Sequence, residues 1–121
     1  MNTKQALAKC FKYFLDPKHK AGFRNNDCVY YANGGNPTMC AIGCLLPVKF
    51  RARVGKVQVG VDALLDDFPV IAQFFEDTDT NVLESMQAAH DSWAMGHGSR
   101  EDFLDHLQNM ICYQETVEWL D

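Results

Sequence analysis

The sequence predicts an α+β fold, mostly helical, in which a short β-hairpin packs against four or five helices. Three observations carry that expectation. Cys28-Val29-Tyr30-Tyr31 is rich in strand formers and is followed by Ala32-Asn33-Gly34-Gly35-Asn36-Pro37. That run is a turn, because Asn and Gly tolerate positive φ and Pro fixes its own; Thr38-Met39-Cys40-Ala41 is then the returning strand. Elsewhere apolar residues recur at helical spacing. Between the two lies Val48 to Val59 (VKFRARVGKVQV), where Phe50, Ala52 and Val54 alternate with Lys49, Arg51 and Arg53. The alternation predicts an edge strand or ordered loop with a cationic row, charges that also discourage unwanted strand pairing.

The elements follow in order. Asn2 or Thr3 caps a first helix to about Leu15, with Leu7, Cys10, Phe11, Phe14 and Leu15 on one stripe. Asp16-Pro17 ends it, since Pro disfavours helical backbone in the residue before it. Lys18 to Asp27 reads as a basic loop, and Ala41 to Leu46 as a turn or short helix stopped by Pro47. Val61 to Phe68 gives a short helix, and Pro69 suits the first turn of another bearing Val70, Ile71, Phe74 and Phe75. Thr80 or Asn81, the latter with Glu84 in a capping box, caps a helix from Val82 to about Met95 with Val82, Leu83, Met86, Ala89, His90 and Trp93 on one face. Gly96-His97-Gly98 breaks it. Ser99 with Asp102 opens the last helix, lined by Phe103, Leu104, Leu107, Met110, Ile111 and Val117.

At 121 residues the chain suits one domain over 1–121. A chain of that size buries roughly two thirds of its unfolded surface, so it needs neither a disulfide nor a cofactor to fold. No apolar run approaches the roughly 18 residues that span a bilayer, and the N-terminus lacks the continuous apolar core of a signal peptide. The expectation is a cytoplasmic protein with no membrane partner. Its five cysteines, an odd number, are then thiols rather than a disulfide framework.

Residues 1–60 hold ten of the eleven Lys and Arg residues against Asp16 and Asp27, and residues 61–121 hold Arg100 against fourteen carboxylates. The net charge of −5 argues against duplex nucleic acid as a partner. A basic half can attract a small anion or an acidic surface. It can equally pair with the acidic half, within the fold or head to tail in a homo-oligomer.

Cys28, Cys40 and Cys44 admit three readings. Cys40 and Cys44, at i and i+4, share a helical face and with Cys28 and His90 supply four zinc ligands, although the paired Cys-x-x-Cys knuckle is absent. Cys40 just before a short helix suits a nucleophile, with His90 as base and Asp91, or equally Asp62, Asp66 or Gln87, as orienter. Against that, adjacent residues on a helix project about 100° apart and rarely meet. The third reading makes the thiols packing groups and His90 a satisfied core histidine. The Gly34-Gly35 amides can approach an anion, with Lys18, Lys20, Arg51 or Arg53 adding charge, although they match no P-loop or dinucleotide fingerprint. Tyr30, Tyr31, Trp93 and Trp119 can stack on a base.

Cys28-Val29-Tyr30, Cys40-Ala41-Ile42-Gly43-Cys44-Leu45-Leu46-Pro47 and the later Gln87-Ala88-Ala89-His90-Asp91 resemble a family of small uncharacterised proteins of tailed phages and bacteria. The resemblance implies a cysteine-bearing hairpin and a phage or prophage accessory role, such as countering host defence. The chain departs from it after Pro47, where it stays basic through Lys56. The function expected is non-enzymatic binding of a host protein or a small anionic ligand such as a signalling nucleotide, through Tyr30, Gly34, Gly35, Lys49, Arg51 and Arg53. The alternatives are a cysteine-dependent hydrolase or transferase using Cys40, His90 and Asp91, and a small zinc module.

Overall fold

The computed structural model describes residues 1–24, 27–28, 31–32, 38–54 and 59–120. Among them are six α-helices: α1 (Thr3–Leu15), α2 (Val48–Val54), α3 (Val61–Asp67), α4 (Pro69–Phe74), α5 (Thr80–Ala94) and α6 (Arg100–Leu120). The expected α+β architecture is corrected to an all-helical one. The extended backbone among the described residues pairs over two residues at a time, Phe23–Arg24 with Asp27–Cys28 and Tyr31–Ala32 with Thr38–Met39. Pairings that short build no sheet layer among the described residues. Met39 and its neighbours are instead held as a buried irregular segment.

Helix α1 begins with a full capping box. Asn2 Oδ1 accepts from the Gln5 N–H at 2.8 Å, and Gln5 Oε1 accepts from the Asn2 N–H at 2.9 Å. Ala6, Leu7, Cys10 and Phe14 form its buried stripe, whereas Leu15 lies 56% exposed beyond it. The start of α1 is tied to the link before α5: the Thr78 hydroxyl donates to the Met1 carbonyl, and the Asp79 N–H donates to Thr3 Oγ1.

The centre of the core is the run Met39 to Leu46, buried without a break. Irregular backbone can be buried only if its polar groups find partners. Here they bond locally, from Cys44 N–H to the Cys40 carbonyl, Leu45 N–H to Ile42 and Leu46 N–H to Gly43, around a 3-10 turn at Gly43–Leu45. This turn packs on α1, and α1 packs in turn on α6.

Val48 to Val54 is helix α2, which corrects the edge-strand expectation. Phe50 and the buried Val54, one helical turn apart, face the core together. Pro69 stands in the first turn of α4, where its missing N–H costs nothing. The cap of α5 is Asp79, whose Oδ1 accepts from the Asn81 N–H at 2.8 Å; a carboxylate in that place also suits the helix dipole. Gly96, with φ of +80°, turns the chain out of α5. Ser99 and Asp102 exchange side-chain-to-backbone bonds at the start of α6.

Candidate functional site

Three of the thiols lie inside the core. Cys10, Cys40 and Cys44 are buried and unbridged. Cys40 Sγ accepts from the Gly43 N–H at 3.3 Å, and Cys44 Sγ–H donates to the Ala41 carbonyl at 3.2 Å. Burial pushes the Cys40 thiol far above its ordinary range, against the opposing pull of the Gly43 and Ile42 amides. Cys10 is raised for the same first reason, with a hydrogen bond to Cys44 and the nearby Cys44 and Cys40 sulfurs adding to it. A nucleophile needs the opposite, an accessible sulfur held as thiolate. Cys112 on α6 is exposed. Among the described residues no three His, Cys, Asp or Glu side chains are grouped to hold a metal; the Cys28 side chain lies outside the described residues.

His90 is fully buried, and both its nitrogens are engaged. The Gly22 N–H donates to Nε2 at 2.8 Å, which places the proton on Nδ1, and Nδ1–H donates to Asp91 Oδ1 at 3.0 Å. The two neighbours on α5 therefore do meet, a correction to the expectation that they point apart. The same carboxylate oxygen accepts from Gln87 Nε2 at 2.9 Å. With Nε2 occupied by a backbone amide, His90 is a fastener between α5 and the segment after α1 rather than a base for Cys40. It sits in an aromatic group with Phe14, Trp93 and Phe103, ring centroids 5.8 to 6.1 Å from its own.

Arg100 completes the fastening. Its guanidinium donates to the carbonyls of Phe14 and His19 at 2.8 Å and of Asp16 and Pro17 at 3.3 Å, and lies 4.9 Å from the Trp93 ring centre. These carbonyls end α1 and line the loop after it, where no helical N–H is left to serve them. His19 lies against Tyr13, rings stacked at 3.9 Å.

The cationic row does not survive as a row. In a helix Lys49 and Arg53 share a face, while Arg51 lies on another and donates from Nε to the Leu46 carbonyl at 3.1 Å. Lys49 Nζ lies over the Phe50 ring, and Arg53 is exposed beside a groove with Phe50, Asp67, Pro69 and Val70. Tyr30, Gly34 and Gly35 lie outside the described residues. So does the Trp119 side chain, whereas Trp93 is half-buried against Phe103.

A polar concavity opens elsewhere, between α5 and α6. This cleft of about 370 Å³ is lined by Ser85, Ala88, Ala89, Ser92 and Trp93 from α5. His97, Gly98 and Ser99 from the turn, and Asp102, Phe103 and His106 from α6, close it. Ser85 Oγ and His106 Nε2 stand 3.0 Å apart across it. Among the described residues none partners His106 Nδ1, and Asp102 Oδ2 accepts from the Ser99 N–H at 3.0 Å rather than from the imidazole. Sequence reasoning missed Ser85, Ser92 and His106. The available signal was Ser85, Ala88, Ala89 and Ser92, a small-residue stripe at helical spacing. Asp102 and His106, one turn apart on the next helix, face it.

No protein-family model matches the chain, no curated protein matches it, and no solved structure matches it.

Proposed function

We propose that this chain is a non-enzymatic binding protein that sequesters a small ligand or a host factor, with the α5–α6 cleft as its ligand site. The cleft carries the reading: three hydroxyls, two imidazoles and a carboxylate converge there on an accessible concavity. Convergent polar groups in a well-formed pocket are the usual mark of a ligand site. The residues suited to covalent chemistry support the same reading from the other side. Cys40 is enclosed and held as a neutral thiol, and His90 has no free nitrogen.

A nucleotide-like anion suits the surroundings. Lys18 and Lys20 are exposed on the loop that Arg100 fastens to the first turn of α6, next to Ser99 and Gly98 of the cleft. Phosphate groups leaving the cleft at that end would meet this basic loop. A phage accessory role in countering host defence rests on the family resemblance, and sequestration is the form of it that needs no catalysis.

Calorimetry of the full chain against a nucleotide and nucleoside panel tests the proposal, together with affinity capture from a bacterial lysate. Binding without turnover of the ligand is the expected result. Absence of any ligand from the panel and of any specific protein from the lysate would remove it, as would turnover of a bound compound.

A further inference from the structure

We infer that the cleft between α5 and α6 recognises a neutral ring bearing adjacent hydroxyls, the ribose of a nucleoside or a sugar; this rests on reading the cleft as a ligand site. The lining decides the class by what it contains. Ser85, Ser92 and Ser99 each donate and accept, His97 and His106 can do both, and Asp102 only accepts. No Lys or Arg is among the described residues that line the cleft, and Arg100 lies against the Trp93 ring with its guanidinium donating to the carbonyls after α1, so an anionic group placed inside would meet the Asp102 carboxylate first. A ring with adjacent hydroxyls makes the opposite match. Its O–H groups donate to the carboxylate, as acidic residues receive ribose hydroxyls in dinucleotide sites, and accept from serine hydroxyls.

The geometry adds preorganisation. Asp102 is fixed by its exchange of bonds with Ser99, Oδ2 accepting from the Ser99 N–H at 3.0 Å and Ser99 Oγ accepting from the Asp102 N–H at 3.1 Å. A carboxylate has about four acceptor sites, so this cap leaves it capacity for a ligand hydroxyl. Ser85 is fixed by His106, 3.0 Å away on the opposite wall. Two held polar groups therefore face the space from different helices, and neither loses much freedom when a ligand binds. The volume of about 370 Å³ lies at the small end of ligand pockets, the scale of a ring rather than of a peptide.

The test uses the full chain, calorimetry and saturation-transfer NMR, with adenosine, ribose, glucose, AMP and inorganic phosphate as probes. Binding of adenosine or of a sugar, weakened about tenfold or more by Ser85→Ala and by Asp102→Asn, is expected. Ser99 remains the cap of α6 and the Asn Oδ1 can still accept from the Ser99 N–H, so Asp102→Asn keeps the start of α6 while removing the charge. Ala88→Trp, at an exposed lining position, fills the cleft without touching the core and abolishes binding. Adenosine bound far better than ribose or glucose identifies a nucleoside, and the reverse identifies a sugar; either supports the inference. AMP or phosphate bound with no loss in the three cleft variants, and lost in Lys18→Ala/Lys20→Ala, overturns it while leaving the protein a binder. Binding by none of the five probes overturns it as well, and a host protein captured from lysate then shows that the broader proposal stands without it.

Discussion

Replacing Arg100 by Ala removes one side chain and strips the end of α1 of its partners. The guanidinium serves four carbonyls, two at 2.8 Å in partly buried settings and two at 3.3 Å at the surface. A hydrogen bond from a charged donor is worth about 1.5–3 kcal/mol. Here one group is shared four ways and water can replace it at the outer pair, so about 1 kcal/mol for each short bond is the fitting value. The stacking on Trp93 adds about 0.5–1 kcal/mol. The expected loss is about 2–3 kcal/mol, or roughly 8–15 °C in Tm for a chain of this length. Arg100→Lys keeps a positive charge near the end of α1 but not the planar fork, and should recover less than half. Urea unfolding followed by far-ultraviolet circular dichroism gives both numbers. A midpoint for Arg100→Ala within about 0.5 kcal/mol of the parent, the range of an ordinary surface change, refutes the capping role.

Four other outcomes follow from the same packing. His90→Ala leaves a hole among Phe14, Trp93 and Phe103 and a Gly22 N–H without its acceptor, and should cost about 2–4 kcal/mol by urea midpoint. Iodoacetamide under native conditions, read by peptide mass mapping, should modify Cys112 and leave Cys10, Cys40 and Cys44 unmodified until denaturant is added; rapid native labelling of Cys40 would revive the nucleophile. Stability should fall as pH rises above about 9: the unfolded thiols then release protons that buried Cys10 and Cys40 retain, so the folded state binds more protons. The slope approaches about 1.4 kcal/mol per pH unit per thiol, and Cys40→Ala should remove one thiol's share in midpoints measured at pH 8 and 10 under reducing agent. Gly96→Ala meets open space but must hold φ at +80°, and should lower stability by about 1 kcal/mol in thermal unfolding.

Five of the six helices were legible because their signals are local. The Asn2 cap of α1, Pro69 at the start of α4, the Gly96 break and the Ser99–Asp102 cap are written in neighbouring residues. Helix α2 was not, because seven residues carry too few periods to separate 2 from 3.6. Phe50 and Val54 fit both, and only the packing of Val54 into the core chooses the helix. The extended segments failed in the other direction. Strand formers and a Gly-Gly turn announce pairing, but pairing over two residues makes no layer. The His90–Asp91 contact was misjudged because the projection rule describes Cβ directions, whereas an imidazole reaches sideways to its neighbour. The cleft was invisible for a different reason. Serines on α5 and a histidine on α6 are ordinary surface residues until the two helices are brought together.

The opposed charges of the two halves also take on a specific meaning. Arg100 is the sole Lys or Arg after residue 60, and the structure directs it not to a carboxylate but to the backbone of the basic half. His90 makes the second tie from the same acidic half, again to backbone, at Gly22. Both ties hold residues 14–22, so the loop bearing Lys18 and Lys20 is positioned by α5 and α6, the helices that form the cleft. Arg100 touches both: it donates to the carbonyls of the basic loop and lies over Trp93, which lines the cleft. A ligand spanning both should accordingly protect Arg100→Ala less than the parent against thermal unfolding, because part of its binding energy is used to reorder the loop. Equal protection of the two proteins would mean that the ligand contacts only one of the two surfaces.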